Sequence, residues 1–126
     1  MRRAKVHQDI TLGQGYASGG YIANTEVGGT IYAASQQQFF FRNTKMGRFR
    51  KGAWNFGFLG CEGAPRTHCG THGGDPATTI DKTPLIAEKP YITIDSSGRY
   101  YLKRPKYKTA TRGTDWDDGA DVFDFS

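Results

Sequence analysis

The chain has little of what usually identifies a protein from its sequence. Its 126 residues include two cysteines, two methionines, two tryptophans and five prolines. No window supplies the roughly 18 consecutive apolar residues of a membrane-spanning helix, so no membrane partner is expected. The start, MRRAKVHQDI, has the charge of a secretory leader, but no apolar run follows it; it does not read as a signal peptide. No long stretch carries the 3.6-residue apolar period of an amphipathic helix, which leaves little room for α structure. Acidic residues are the minority, 12 against 17 lysines and arginines.

What is abundant is glycine, at 17 residues, together with aromatics at 13%. Many glycines with many aromatics suit short strands joined by tight turns in a single all-β domain. The net charge of +5 is unevenly spread. Arg42, Lys45, Arg48, Arg50 and Lys51 form one basic cluster, and Lys103, Arg104, Lys106 and Lys108 a second. An acidic end opposes them, with Asp115, Asp117, Asp118, Asp121 and Asp124. Basic residues interleaved with aromatics can hold a phosphate backbone and stack bases. No RNP-type sequence or zinc-finger spacing accompanies them here. They read as solvated strand edges and turns, and no nucleic-acid partner is expected.

Both cysteines lie in CEGAPRTHCGTHGG. Cys61, His68, Cys69 and His72 have ligand chemistry but not the spacing of a zinc site. Adjacent His68 and Cys69 would point apart in an extended segment. No metal and no cofactor is expected, and Cys61 and Cys69 form either a disulfide or two free thiols.

An internal repeat organises the first half. YIANTEVGG (21–29) aligns with FFRNTKMGR (40–48) and more loosely with GFLGCEGAP (57–65), at offsets of 19 and 17 residues. Coils of this length are what a parallel β-helix stacks, strand on strand about 4.8 Å apart. Equivalent positions then form columns. Ile22, Phe41 and Phe58 make an apolar, inward one. Asn24, Asn43 and Gly60 make one of residues that tolerate left-handed backbone and so mark a turn. Glu26, Lys45 and Glu62 make one of alternating charge, attractive between neighbours. Residues 1–63 are therefore expected to hold about three rungs, and 64–90 a loop. Residues 91–108 read as an antiparallel hairpin turning at Asp95-Ser96-Ser97-Gly98. Residues 109–126 read as a linker, although VFDFS has the look of a strand beginning.

The run SQQQFFFRNTKMG (35–47) sets three glutamines against three phenylalanines. Successive strand residues alternate faces, so the three rings cannot all enter one core. With Phe41 inward, alternation takes Phe39 and Gln37 in and turns Gln36, Gln38, Phe40 and Arg42 out. Tyr21 would lie beside Phe40, and Asn55 beside Gln38. Amides pair with sugar hydroxyls as donor and acceptor, and aromatic rings pack on the apolar face of a pyranose. The same residues would also serve as an amide ladder that only ties rungs together.

The stretches GYASGGYIANTEVGGTIYAASQQQFFFRNTKMG, GAWNFGFLGCEGAP and DKTPLIAEKPYITIDSSGRYYLKRP resemble secreted right-handed parallel β-helix proteins of the pectate-lyase-like superfamily. Within it they resemble most the exo-β-1,3-glucanases of glycoside hydrolase family 55. The resemblance runs over roughly residues 15–126. Its most specific parts are Gly19-Gly20, Ser35 to Gln38 with Arg42-Asn43, Trp54-Asn55, and Lys82-Thr83-Pro84 through Lys89-Pro90. It implies a right-handed parallel β-helix segment with an added β-hairpin, polysaccharide binding along the flank, and an extracellular location. It also implies that the general-acid glutamate lies outside this segment. Glutamines like Gln36 and Gln38 would position substrate or a hydrolytic water in such enzymes.

Two functions are carried forward. One is a carbohydrate-active segment that binds polysaccharide through Gln36, Gln38, Arg42, Asn55, Tyr21 and Phe40, without completing hydrolysis alone. The other is a structural module that pairs with a partner β-helix chain. A complete enzyme with Glu62 or Glu88 as its acid is a further alternative, since inverting hydrolysis needs a flanking acid and base. Neither end of the chain shows an obvious solenoid cap, so the chain is expected to rely on a flanking domain or self-association.

Overall fold

The structure is a computed structural model that describes residues 1–13, 15–16, 18–50, 55–69, 76–116 and 119–125. The N-terminal residues give two short strands, β1 (Lys5–Val6) and β2 (Ile10–Thr11). The repeat gives β3 (Ser18–Ala23), β4 (Glu26–Tyr32), β5 (Gln37–Arg42), β6 (Lys45–Arg50) and β7 (Phe56–Leu59). Beyond it lie β8 (Ala77–Ile80), β9 (Thr83–Ile86), β10 (Tyr91–Ile94), β11 (Tyr100–Arg104), β12 (Lys108–Thr111) and β13 (Asp121–Asp124). Among the described residues there is no helix. The fold is all-β, a parallel β-solenoid of about three turns with antiparallel sheets added.

The corner between two strands of a coil is where the sequence acts most directly. Asn24, Asn43 and Gly60 stand at equivalent corners, with φ of 47°, 46° and 59°. Asparagine and glycine tolerate that left-handed conformation, which lets the chain leave one sheet and enter the next. Each corner amide then donates to the following rung. Asn24 N–H bonds the Arg42 carbonyl at 3.0 Å, Asn43 N–H that of Leu59 at 2.9 Å, and Gly60 N–H that of Ile80 at 2.9 Å. Next in each corner come Thr25, Thr44 and Cys61, all buried. Each turns its side-chain donor back to the carbonyl two residues earlier: Thr25 to Ala23 at 2.9 Å, Thr44 to Arg42 at 3.2 Å and Cys61 to Leu59 at 3.6 Å.

Two parallel sheets follow from this corner. β3, β5, β7 and β8 pair in that order, with Ile22 opposite Phe41 and Phe41 opposite Phe58. β4 pairs with β6 on one edge and with β1 and β2 on the other. The charge column is present as well, Glu26 opposite Lys45 and Lys45 bridged to Glu62. Lys5, opposite Glu26, extends it by one rung and pairs with that carboxylate at 3.4 Å.

The core lies between the sheets. Ile22, Val27, Ile31, Phe41, Met46, Phe56 and Phe58 are buried in it. Phe41 stacks on Phe58 with centroids 4.9 Å apart, and Phe49 meets both rings edge-on at 5.7 and 5.1 Å. Burying a side chain of this size is worth about 1.5–3 kcal/mol. Val6, Ile10 and Leu12 pack onto the same cluster. The N-terminal segment therefore extends one sheet and contributes to the core.

Two segments depart from expectation. The stretch read as a loop, 64–90, contains β8 and β9, so the first sheet has a fourth parallel strand. The stretch read as a linker, 109–126, takes part in two paired strands. β12 lies antiparallel to β9, and β13 antiparallel to β11. The strand expected in VFDFS is β13. Finally, Cys61 and Cys69 are free thiols, the first buried and the second exposed. Burial pushes the Cys61 thiol up, as suits a residue filling a threonine position in the corner column. His72, Trp54, Lys51, Asp117 and Asp118 lie outside the described residues.

The corner side chains also hold the later segments in place. Asn43 Nδ2 donates to the Thr111 hydroxyl at 3.0 Å and the Gly113 carbonyl at 3.1 Å, while its Oδ1 accepts from the Thr83 hydroxyl at 2.7 Å. Asn24 Nδ2 donates to the Asp115 carbonyl and its Oδ1 accepts from the Asp115 N–H; the Trp116 indole N–H bonds the Asn24 carbonyl. The acidic end meets the second basic cluster here and in the outer sheet. Lys108 pairs with Asp115, and Asp121 takes up Arg104 and Lys106.

The hairpin β10–β11 has the expected antiparallel register, Ile92 opposite Leu102. Its turn is closed by Asp95. The carboxylate accepts from the Ser97 hydroxyl and N–H, the Arg99 N–H and the Tyr101 hydroxyl, at 2.7–3.0 Å. These donors, the Ser97 hydroxyl foremost, hold the Asp95 carboxyl down to about 2.

Asn43→Ala is expected to cost about 2–4 kcal/mol of stability, because it imposes left-handed backbone strain and strands three partners, two of them buried. Asn43→Gly keeps the backbone and should cost less, a difference that urea unfolding of the two variants measures. For Asp95 the folded pKa lies below its ordinary value of 3.8. Its stabilisation of the hairpin is therefore full above that value and is lost as the pH falls through about 2. Amide exchange protection in residues 91–104 should follow this profile, and Asp95→Asn should flatten it.

Candidate functional site

Of the three adjacent rings, Phe41 enters the core and Phe39 lies half-buried over Gly20, where a side chain would collide with the ring. Phe40 turns outward. Register sets it opposite Tyr21 on one side and Gly57 on the other. Gly57 leaves the space the Phe40 ring occupies, since a Cβ there would sit 2.9 Å from it. Tyr21 and Phe40 stack with centroids 5.9 Å apart and planes within 8°, and remain 41% and 38% exposed. Offset aromatic stacking of this kind falls within the favourable 4.5–7 Å range. The strands thus hold two rings as one fixed platform.

Gln38 and Asn55 are both exposed at the start of their strands. Gln38 Oε1 accepts from the Ser18 hydroxyl at 2.7 Å. The two amides share a backbone feature too, φ of 55° at Gln38 and 59° at Asn55, with Gly19 at 86° on the rung before. A second left-handed column, 19, 38 and 55, therefore runs up the sheet edge.

That column corrects the expectation for Gln36. Simple alternation turned it outward, yet it is only 4% exposed. A left-handed residue inside a strand behaves as a bulge and advances the facing pattern by one position. Counted back from Phe41 across Gln38, residue 36 therefore points inward. A turn whose 3.0 Å bond runs from Gln36 N–H to the Ala33 carbonyl also ties its backbone down. Gln36 is thus a buried residue of the solenoid wall, apart from the ring platform.

Arg42 lies on the platform side but is not free. Its Nε donates to the Tyr21 hydroxyl at 2.8 Å, and its Nη2 donates to Glu88 Oε2 at 3.1 Å. Nη1 and Oε1 of the same pair approach to 3.0 Å without hydrogen-bond alignment, so each of those buried atoms makes a charge contact only. The two side chains keep 13% and 12% of their surface. Burial works to lower the guanidinium, but the Tyr21 hydroxyl and the Glu88 carboxylate outweigh it and hold Arg42 above its ordinary value. Glu88 is the residue that sequence reasoning missed as a member of this group. The only signal for it was its place in DKTPLIAEKP, beside no partner that sequence distance would suggest.

Beside this pair runs an open groove of about 420 Å³, walled by Tyr21, Arg42, Leu85, Ala87, Arg2 and Lys89. The geometry thus unites Tyr21, Phe40, Gln38 and Asn55 on one exposed face and places Arg42 at its margin. Such a face offers apolar ring surface with amide donors and acceptors at its edge, and a groove rich in positive charge alongside. Among the described residues no cluster of three or more potential metal ligands occurs.

No family model matches the chain. An exo-β-1,3-glucanase of Streptomyces sp. (strain SirexAA-E) is 39% identical over 121 residues, covering 94% of this chain and 19% of that protein. The solved structure of sacteLam55A from the same strain superposes with a TM-score of 0.88 at 35% identity, over 98% of this chain and 23% of the other. A variant of sacteLam55A in complex with glucose gives a TM-score of 0.87 over the same shares. The chain spans about a fifth of the length of these relatives. It is therefore homologous to a segment of a glycoside hydrolase family 55 exo-β-1,3-glucanase and shares its β-solenoid fold.

Proposed function

We propose that the chain is a carbohydrate-active β-helix segment that binds a β-glucan-like polysaccharide along the Tyr21–Phe40 face. The observation that carries this reading is the exposed, stacked ring pair with Gln38 and Asn55 at its edge. Rings give a pyranose an apolar platform, and amides answer its hydroxyls as both donor and acceptor. Arg42 acts by fixing the Tyr21 hydroxyl, and Glu88 acts by holding Arg42. The related sacteLam55A, known in complex with glucose, supports a sugar as the ligand class. A polymer of this kind fits an extracellular setting.

The segment binds without completing hydrolysis alone. The Glu88 carboxylate is engaged by Arg42, and Glu62 stands in the corner column beside Lys45. Within a longer protein the same segment would form part of a glycoside hydrolase-like enzyme. A structural module that pairs with a partner β-helix chain is the second reading, favoured by the exposed apolar side chains of residues 92–125.

Affinity electrophoresis through laminarin tests the first reading. The chain should be retarded, and Phe40→Ala should weaken retardation about tenfold, the effect of losing one ring contact. Gln38→Ala should weaken it less. Unretarded migration of the folded chain in laminarin and in other glucans would refute glycan binding and leave the pairing module.

A further inference from the structure

Among the described residues, the antiparallel sheet β10–β11–β13 contributes no side chain to the buried core cluster. Its register sets Ile92, Leu102 and Phe123 in one row. Ile94, Tyr100 and Phe125 form the next, with the Phe125 N–H bonded to the Tyr100 carbonyl. Strand alternation puts all six on one face. All six are exposed, from 36% at Leu102 to 60% at Ile92 and Ile94. The opposite face carries Tyr91, Thr93, Tyr101 and Lys103, and the Arg3 guanidinium lies 3.7 Å over the Tyr91 ring. Six large side chains, about half exposed, offer on the order of 600 Å² of apolar surface, the upper range for one patch on a monomer. Three strands are near the minimum for a stable sheet, and covering such a face adds to its stability.

We infer that a second copy of this chain covers it, the two sheets packing face to face. Three features select that occupant. The first is area, because a stable interface buries about 800 Å² per partner, which this patch and its rim supply. The second is layout. The β10 edge is aliphatic and the β13 edge aromatic, so a two-fold axis along β11 lays the aliphatic edge of each copy on the aromatic edge of the other. Such an isologous contact closes at two copies. The third is charge. Arg104 and Lys106 are paired with Asp121 at 3.1 and 3.8 Å within one copy. Arg104 also sits 5.0 Å over the Phe123 ring. Asp121 therefore stands between the rim cations of each copy and lessens like-charge repulsion at the contact.

Sedimentation velocity of the chain between about 1 and 100 µM tests the inference, over the concentrations at which an interface of this size dissociates. A dimer that dissociates on dilution is expected. Phe123→Lys and Ile92→Lys should each weaken it a hundredfold or more, while Val122→Lys on the opposite face should leave it intact. Far-UV circular dichroism checks that each variant folds, and Leu102→Gln replaces either lysine variant that does not. A chain that stays monomeric throughout would overturn the inference and assign the face to another occupant, such as a flanking segment of a longer protein. A dimer indifferent to every substitution on this face would overturn it equally.

Discussion

The left-handed corner column of Asn24, Asn43 and Gly60 is the constraint on which the rest of the structure depends. It turns the chain from one sheet into the next at the same place in each coil. Its backbone amides then bond the following rung, so period and register are fixed together. The asparagine side chains do a second task, clamping the strands and turns of residues 83 and 111–116 against the solenoid. An alanine at such a corner would lose both effects. Glycine at residue 60 keeps the turn but has no side chain to clamp with.

The candidate site inherits its rigidity from that column. Tyr21 and Phe40 stack because Ile22 and Phe41, one residue on, are locked in register within the core. The clamp at Thr83 and Thr111 anchors the β9–β12 ladder, and the chain leaving β9 brings Glu88 to Arg42. The resulting ion pair is a weak contributor to net stability, since desolvating both charges offsets much of their attraction. Its consequence is positional: it holds the guanidinium against the Tyr21 hydroxyl and so fixes the outer edge of the platform.

The repeat was legible in the sequence because each of its columns makes chemical sense alone. The inward column 22, 41 and 58, the left-handed column and the alternating charge column all stand where their residue types placed them. Gln36 was not legible, because alternation was counted straight through Gln38, and nothing in a glutamine announces a positive φ. The neighbouring rung did hold a hint, Gly19 at the equivalent position. The corner column of Thr25, Thr44 and Cys61 went unread because cysteine was weighed as a metal or disulfide residue, not as a threonine substitute. β8 and β12 were hidden for another reason. They are short and polar, and their pairing partners lie far off in sequence, so tertiary contact, not local pattern, makes them strands. The Arg42–Glu88 pair shares that cause.

The most direct test of this account is whether the corner amides bond from rung to rung. Scalar couplings transmitted through hydrogen bonds, measured by NMR on isotope-labelled protein, report donor and acceptor for each. The account predicts couplings from the amide nitrogen of Asn24 to the Arg42 carbonyl carbon, of Asn43 to that of Leu59, and of Gly60 to that of Ile80. Couplings joining β3 and β5 in an antiparallel hairpin register, or Asn43 and Gly60 amides that exchange as freely as open turns, would contradict it.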